Sequence, residues 1–223
     1  MFGGPPLFLH MPISLPDPGS PNTEFERPAD RAHLERTVAA LITRGFNALI
    51  ADDVEDARRR VLEALPEGAE VQSALSETMR ELGITNEIDT SGRYESIRSR
   101  LNKLDRQTQG RERRKLGAAP DYIVGSAHAI TDSGEIIIGS GTGSQLGAYA
   151  YAGGNVILVV GHQKLVRDID EGLRRLREYS LPREYERMQS AGFQGTLLAK
   201  TLIIHYETSS RITVILVPAT LGF

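Results

Sequence analysis

Asn155-Val156-Ile157-Leu158-Val159-Val160 holds the longest purely aliphatic run of the chain, and its neighbours decide the fold class. The run has a strand's length, far below the roughly 20 residues that a membrane-crossing helix needs. Ahead of it, Gly143–Tyr151 reads as a helix. Behind it, Gly161-His162-Gln163-Lys164-Leu165-Val166 leads into a second helix over Asp168–Tyr179. A strand between two helices at this spacing is the βαβ pattern of a parallel sheet.

Outward from there the alternation continues. Pro28-Ala29-Asp30 opens a helix whose Leu34, Val38, Leu41 and Ile42 share one apolar face, and Gly45 stops it. Phe46–Ala51 reads as a strand. Asp52 or Asp53 then caps a helix with Val54, Ala57, Val61, Leu62 and Leu65 inward, ended by Pro66 and Gly68. Ala69–Leu75 is a short strand, and Ser76-Glu77-Thr78 opens a helix that ends near Gly83. Tyr94 to Lys115 reads as a polar helix or helix pair, its basic cluster (Arg106, Arg111, Arg113, Arg114, Lys115) a solvated face. Tyr122–Val124 and Glu135–Ile138 are strands. Leu202–Tyr206 and Ile212–Val217, joined by Thr208-Ser209-Ser210, read as a C-terminal hairpin. The expected fold is α/β: a mainly parallel three-layer sheet with that hairpin adding antiparallel strands at one edge.

Seven of the eleven prolines lie in the first 28 residues, where they exclude a helix or a central strand. Residues 1–27 are therefore expected to be an extended arm, with 28–223 as one α/β domain. Phe2, Leu7, Phe8, Leu9 and Met11 leave packing on a second copy of the chain, in a homo-oligomer, as the alternative to disorder.

The formal charge of −3 gives no electrostatic reason to expect nucleic acid as the main partner. The absence of cysteine excludes disulfides, thiolate catalysis and Cys-ligated zinc or iron–sulfur clusters within the chain, and it agrees with a cytoplasmic protein. No signal peptide and no membrane segment are expected. The five histidines show no metal-ligand spacing, so no metal site is expected.

Parallel α/β sheets bind ligands beyond the carboxyl ends of their strands, and three segments stand at strand ends. Ser76 and Thr78 offer hydroxyls beside a helix start, although Ser76 also reads as a plain cap. Gly141, Thr142, Gly143, Ser144 and Gln145 form a glycine-rich loop that lets backbone approach a ligand. It is neither a nucleoside-triphosphate loop nor a complete dinucleotide fingerprint. Lys164 follows the most apolar strand and points either into the crevice or into solvent. His128 and Glu135 are the candidates for proton transfer, although His128 reads more readily as a packed neutral ring.

The segments Gly125-Ser126-Ala127-His128-Ala129-Ile130-Thr131, Gly143-Ser144-Gln145-Leu146-Gly147-Ala148-Tyr149, Gly161–Val166 and Arg211–Val217 together resemble the LUD domain, the lactate-utilisation family, in its short single-domain form. The resemblance covers about residues 33–223. It implies a fold like that of ribose-5-phosphate isomerase, glucosamine-6-phosphate deaminase and the CoA transferases. In those enzymes a Gly/Ser/Thr loop after an early strand binds phosphate. Ser76 and Thr78 match its place, with Ala74 and Leu75 where the isomerases carry glycines. Lys164 matches a lysine that helps hold the phosphorylated sugar. The isomerases' acidic catalytic motif has no counterpart, Gly125-Ser126-Ala127-His128 standing in its place.

Members of the family are associated with oxidation of lactate to pyruvate beside iron–sulfur partners. The resemblance therefore implies a cluster-free accessory component that binds a small anion, any iron–sulfur cluster residing in an oxidoreductase partner. An isomerase or transferase acting on a phosphorylated or CoA-linked substrate, and a regulatory anion-binding module, are the alternatives.

Overall fold

The computed structural model describes residues 15–223. Among the described residues, ten strands follow in chain order: β1 (Asn47–Ile50), β2 (Glu70–Ser73), β3 (Glu95–Ser96), β4 (Tyr122–Gly125), β5 (Ala129–Thr131), β6 (Ile136–Ser140), β7 (Asn155–Gly161), β8 (Leu165–Val166), β9 (Lys200–Ile204) and β10 (Ile212–Val217). Six form a wholly parallel sheet in the order β1-β10-β7-β4-β2-β3, and four form a smaller mixed sheet in the order β8-β5-β6-β9.

The aliphatic run is the reason the large sheet can be covered on both faces. Val156, Leu158 and Val160 of β7 enter one core with Leu34 and Leu41 of helix Arg31–Thr43 and Ile130, Ile136 and Ile138 of the small sheet. Ile157 and Val159 enter the opposite core with Ala57 and Val61 of helix Val54–Glu63, Met79 of helix Glu77–Glu81 and Ile84 and Ile88 of helix Ile84–Thr90. Each of these side chains larger than alanine contributes about 1.5–3 kcal/mol when fully buried. The result is a three-layer α/β domain, as expected.

The C-terminal hairpin is not formed. β9 pairs antiparallel with β6, Ile204 opposite Ile136 and Lys200 opposite Ser140. β10 instead runs parallel between β1 and β7, Leu216 facing both Ile50 and Val160. A strand as apolar as Ile212–Val217 gains most in the centre of the large sheet, where Val214 and Leu216 feed one core and Ile215 and Val217 the other. The chain does turn at Ser209-Ser210, with Ser210 at φ +54°, but it turns from one sheet to the other. On the way the Glu207 N–H donates to the Arg44 carbonyl at 2.9 Å. The Glu207 carbonyl occupies the space a side chain at residue 45 would need, so Gly45 at φ +85° admits no substitute.

Other local readings shift. Asp30 caps the first helix through the His33 N–H at 2.7 Å, but Ile42 is 56% exposed and not part of its buried face. Helix Ile84–Thr90 and strands β3, β5 and β8 have too few residues to show a period. Tyr94–Lys115 holds β3 and two helices, Ile97–Asn102 and Gly110–Ala118.

The helix at 168–179 extends further, from Ile169 to Ser190, through a π-helical turn at Leu176–Ser180. Pro182 has no N–H for the Glu178 carbonyl four residues back. The Asn22 N–H supplies that bond instead, at 2.8 Å. This fixes the end of the expected arm: Thr23–Glu26 is a 3-10 turn docked on the helix, with Tyr179 Oη donating to Glu26 at 3.1 Å. The first 14 residues of that arm lie outside the described part.

Candidate functional site

The order of the large sheet creates a switch point. From β2 the chain moves outward to β3, whereas from β4 it moves the other way, to β7 and β10. Ligands of open α/β sheets bind where the connections diverge, beyond the carboxyl ends of the strands. Here that crevice lies between the segments after β2 (Ala74–Thr78) and after β4 (Ser126–His128).

Lys164 reaches it from the segment after β7. The 3-10 turn His162–Lys164 aims its side chain inward and leaves it 1% exposed. Nζ donates to Thr78 Oγ1 at 3.0 Å and to Ser126 Oγ at 3.2 Å, so one ammonium bridges both walls. No carboxylate among the described residues forms an ion pair with it. Burial, and then the charge of Arg175, pulls the amine down to about 7, against a weaker upward pull from Glu81.

Thr78 is fully buried, and its hydroxyl donates to the Leu221 carbonyl at 3.2 Å. Ser76 precedes the helix without a side-chain capping bond, which leaves its hydroxyl uncommitted. The segment Leu221-Gly222 packs directly on Thr78. Gln163 Nε2 holds its carbonyls at 3.0 and 3.1 Å, and the Gly222 N–H donates to Glu81 at 2.8 Å.

His128 ends the β4 segment. Its Nδ1 accepts the Gly139 N–H at 3.1 Å, and burial first, then the charges of Lys164 and Arg175, holds the ring down to about 3. The ring is neutral at physiological pH with its proton on Nε2, an arrangement that offers a donor and no free lone pair for a general base. Glu135 is no partner for it. That carboxylate sits at the far end of the β5–β6 turn, where it accepts from Arg44 Nη2 at 2.5 Å, Ser133 Oγ at 2.6 Å and the Thr131 hydroxyl.

No hydrogen bond joins the glycine-rich loop to Lys164. Gly141–Gln145 follows β6 in the small sheet, and its side-chain hydrogen bonds are internal. The Gly143 N–H donates to Ser140 Oγ at 2.8 Å and the Ser144 N–H to Thr142 Oγ1 at 3.3 Å. Its glycines answer packing: Gly141 lies against Thr196 and Leu197, and Gly143, at φ +83°, lies under the Lys200 side chain. What the loop does bring to the crevice wall is Tyr149, whose hydroxyl rests directly on Gly125.

Two site residues escape a reading by motif. Ser126 is the second acceptor of Lys164, its only signal being its place at a strand end. Arg175 is fully buried at an inward position of helix 169–190, flanked on the same face by Gly172 and Tyr179. Its Nη1 donates to the His128 carbonyl at 2.5 Å and to Ser180 Oγ at 3.2 Å. An arginine three residues after a buried glycine was the available signal. Burial lowers its guanidinium to about 10, so it stays charged.

With no cysteine in the chain, these residues do not fit a thiolate-ligated cluster. Among the described residues no three His, Asp or Glu side chains gather as metal ligands, and no helix is long and apolar enough to cross a membrane.

Fold and crevice together define a three-layer α/β protein with a buried lysine at its switch point. The LUD domain family model matches residues 34–217, and the chain belongs to that family, which implies a role related to lactate utilisation. A solved structure of a DUF162 family protein from Deinococcus radiodurans has the same fold, with a TM-score of 0.51 and 16% identity over 85% of this chain and 99% of that one. No curated protein matches the chain in sequence.

Proposed function

We propose that the protein is a cluster-free accessory component of a cytoplasmic lactate (2-hydroxy-acid) utilisation system, and that it binds a small anionic ligand in the crevice at Lys164. One observation carries the reading. A buried ammonium joins the hydroxyls of Thr78 and Ser126 and has no carboxylate partner among the described residues. An isolated buried charge is costly, and an anion between the strand ends offsets that cost. Isomerase chemistry on a phosphorylated substrate is less well supported. Glu81, the carboxylate whose charge Lys164 feels, is committed to the Gly222 N–H.

Oxidation of a hydroxy acid removes two electrons, and ordinary side chains are poor acceptors, so the electrons pass to an iron–sulfur oxidoreductase partner. The deciding assay is lactate-dependent dye reduction by the purified chain, alone and with a candidate iron–sulfur protein. The expected result is no turnover by the lone chain and turnover on addition of the partner. Turnover by the lone chain defeats the accessory role, and silence in both arms moves the reading to a transferase or a regulatory module.

A further inference from the structure

Arg175 is fully buried, yet only one of its guanidinium nitrogens is engaged. Nη1 is held by the His128 carbonyl and Ser180 Oγ, and the guanidinium carbon stands 4.9 Å from the centre of the Tyr179 ring. Nε and Nη2 are buried with no hydrogen-bond partner among the described residues, and no carboxylate among them pairs with the group. Buried arginine donors are ordinarily satisfied, so a vacant pair on one side chain marks a missing acceptor. The N–H bonds of Nε and Nη2 point the same way from one edge of a planar group, at the spacing of the two oxygens of a carboxylate.

We propose that Arg175 is the receptor for the carboxylate of a small organic acid, paired through Nε and Nη2, in the crevice where Lys164 bridges Thr78 and Ser126. The assignment rests on the reading of that crevice as an anion site. Its backbone anchor, His128, lies two residues after Ser126, and the His128 ring feels the charges of both Lys164 and Arg175. The π-helical turn sets the plane of the group, because it brings Ser180, five residues on, within reach of Nη1.

A carboxylate fits better than a phosphate. Only one flat edge of Arg175 lacks partners, which suits a planar two-oxygen acid. A phosphate needs donors from several directions, commonly the free N–H groups at a helix start. The start of helix Glu77–Glu81 is occupied: a Cβ on Gly222 would lie 2.8 Å from the Thr78 nitrogen.

The test is calorimetric titration of the full chain with acetate, L-lactate and inorganic phosphate, for wild type and Arg175→Lys. Lysine keeps the positive charge and a donor for the His128 carbonyl but lacks the two-pronged edge. Wild type is expected to bind both carboxylates more tightly than phosphate. The variant is expected to lose on the order of tenfold or more in carboxylate affinity, with its ligand-free melting temperature little changed. In arginine-15N-labelled wild type, acetate is expected to shift the buried Nε–H resonance downfield, a readout that stands even if the variant fails to fold. Carboxylate affinity retained in Arg175→Lys, an Nε–H resonance unmoved while acetate binds, or a preference for phosphate each overturns the assignment and leaves the anion crevice standing. Failure of wild type to bind any of the three anions overturns both.

Discussion

Lys164→Met is expected to abolish anion binding and, at the same time, to raise the melting temperature at neutral pH. The two effects have one cause. The lysine is 1% exposed, and its amine is held to about 7 against an ordinary 10.5, so the fold tolerates its charge poorly. Methionine fills the same volume without charge. It leaves neither hydroxyl stranded, since Thr78 still donates to the Leu221 carbonyl and Ser126 to the Ala127 carbonyl. Replacing buried charges with apolar side chains is often stabilising by ~1–4 kcal/mol, and each kcal/mol moves the melting temperature by roughly 2–4 °C in a chain of this size.

The pH dependence has a definite sign. Between about 7 and 10.5 the unfolded chain keeps the Lys164 proton and the folded chain releases it, so wild-type stability from this group rises with pH across that window. The advantage of methionine is therefore full below pH 7 and fades toward 10.5. Thermal melts of both proteins at about pH 6 and about pH 9 check this. A variant markedly less stable than wild type at the lower pH would mean that the ammonium is compensated within the fold, and the anion reading would lose its basis.

Glu135→Ala is expected to be the most destabilising of the substitutions considered, with no effect on anion binding. The carboxylate is 8% exposed and anchors Arg44 at 2.5 Å. Arg44 also donates to the His205 carbonyl at 2.9 Å and to the Ser133 carbonyl, and lies over the Tyr206 ring. This one arginine thus ties the end of the first helix to the β5–β6 turn and to the crossing between the sheets. Removing its partner leaves a largely buried charge unpaired, a change that costs about 3–5 kcal/mol. The expected fall in melting temperature is on the order of 10 °C.

Burial alone would raise the Glu135 carboxyl, but Ser133, Thr131 and Arg44 outweigh it and hold it below the usual 4.5. Its stabilisation is therefore present above pH 4.5 and lost as the pH falls below, where wild type and variant converge. Chemical denaturation at neutral and acidic pH measures both effects. A variant of normal stability that no longer bound anions would reinstate Glu135 as a functional residue.

Much of the architecture was legible because burial leaves a local trace. The run Val156–Val160 announces a central strand, and Asp30 and Asp53 announce helix starts that the structure reproduces. Pairing leaves no such trace. Nothing local to Ile212–Val217 says that its partners are residues 47–50 and 156–161 and not the strand just before it. The turn at Ser209-Ser210 is real, but a turn fixes a change of direction and not a partner.

The same limit divides the site. Thr78 and Lys164 were legible as side chains at strand ends, and the fold brings them to 3.0 Å. Arg175 was hidden beside Arg174, since two adjacent arginines on a helix look like a solvated face. Only the helix's docking on the small sheet decides that Arg174 pairs with Glu178 and Arg175 goes inside. The glycines at 141 and 143 also have a packing reason that no motif announces: they lie against Thr196, Leu197 and the Lys200 side chain.

A crystal structure of the full chain soaked with an organic carboxylate tests the central claim most directly, because it locates the anion without reference to activity. The expected density lies at Lys164 Nζ between the segments after β2 and β4. An anion seated instead in the surface depression beside Arg58, Leu62 and Arg93, with Lys164 still closed over Thr78 and Ser126, would contradict the account.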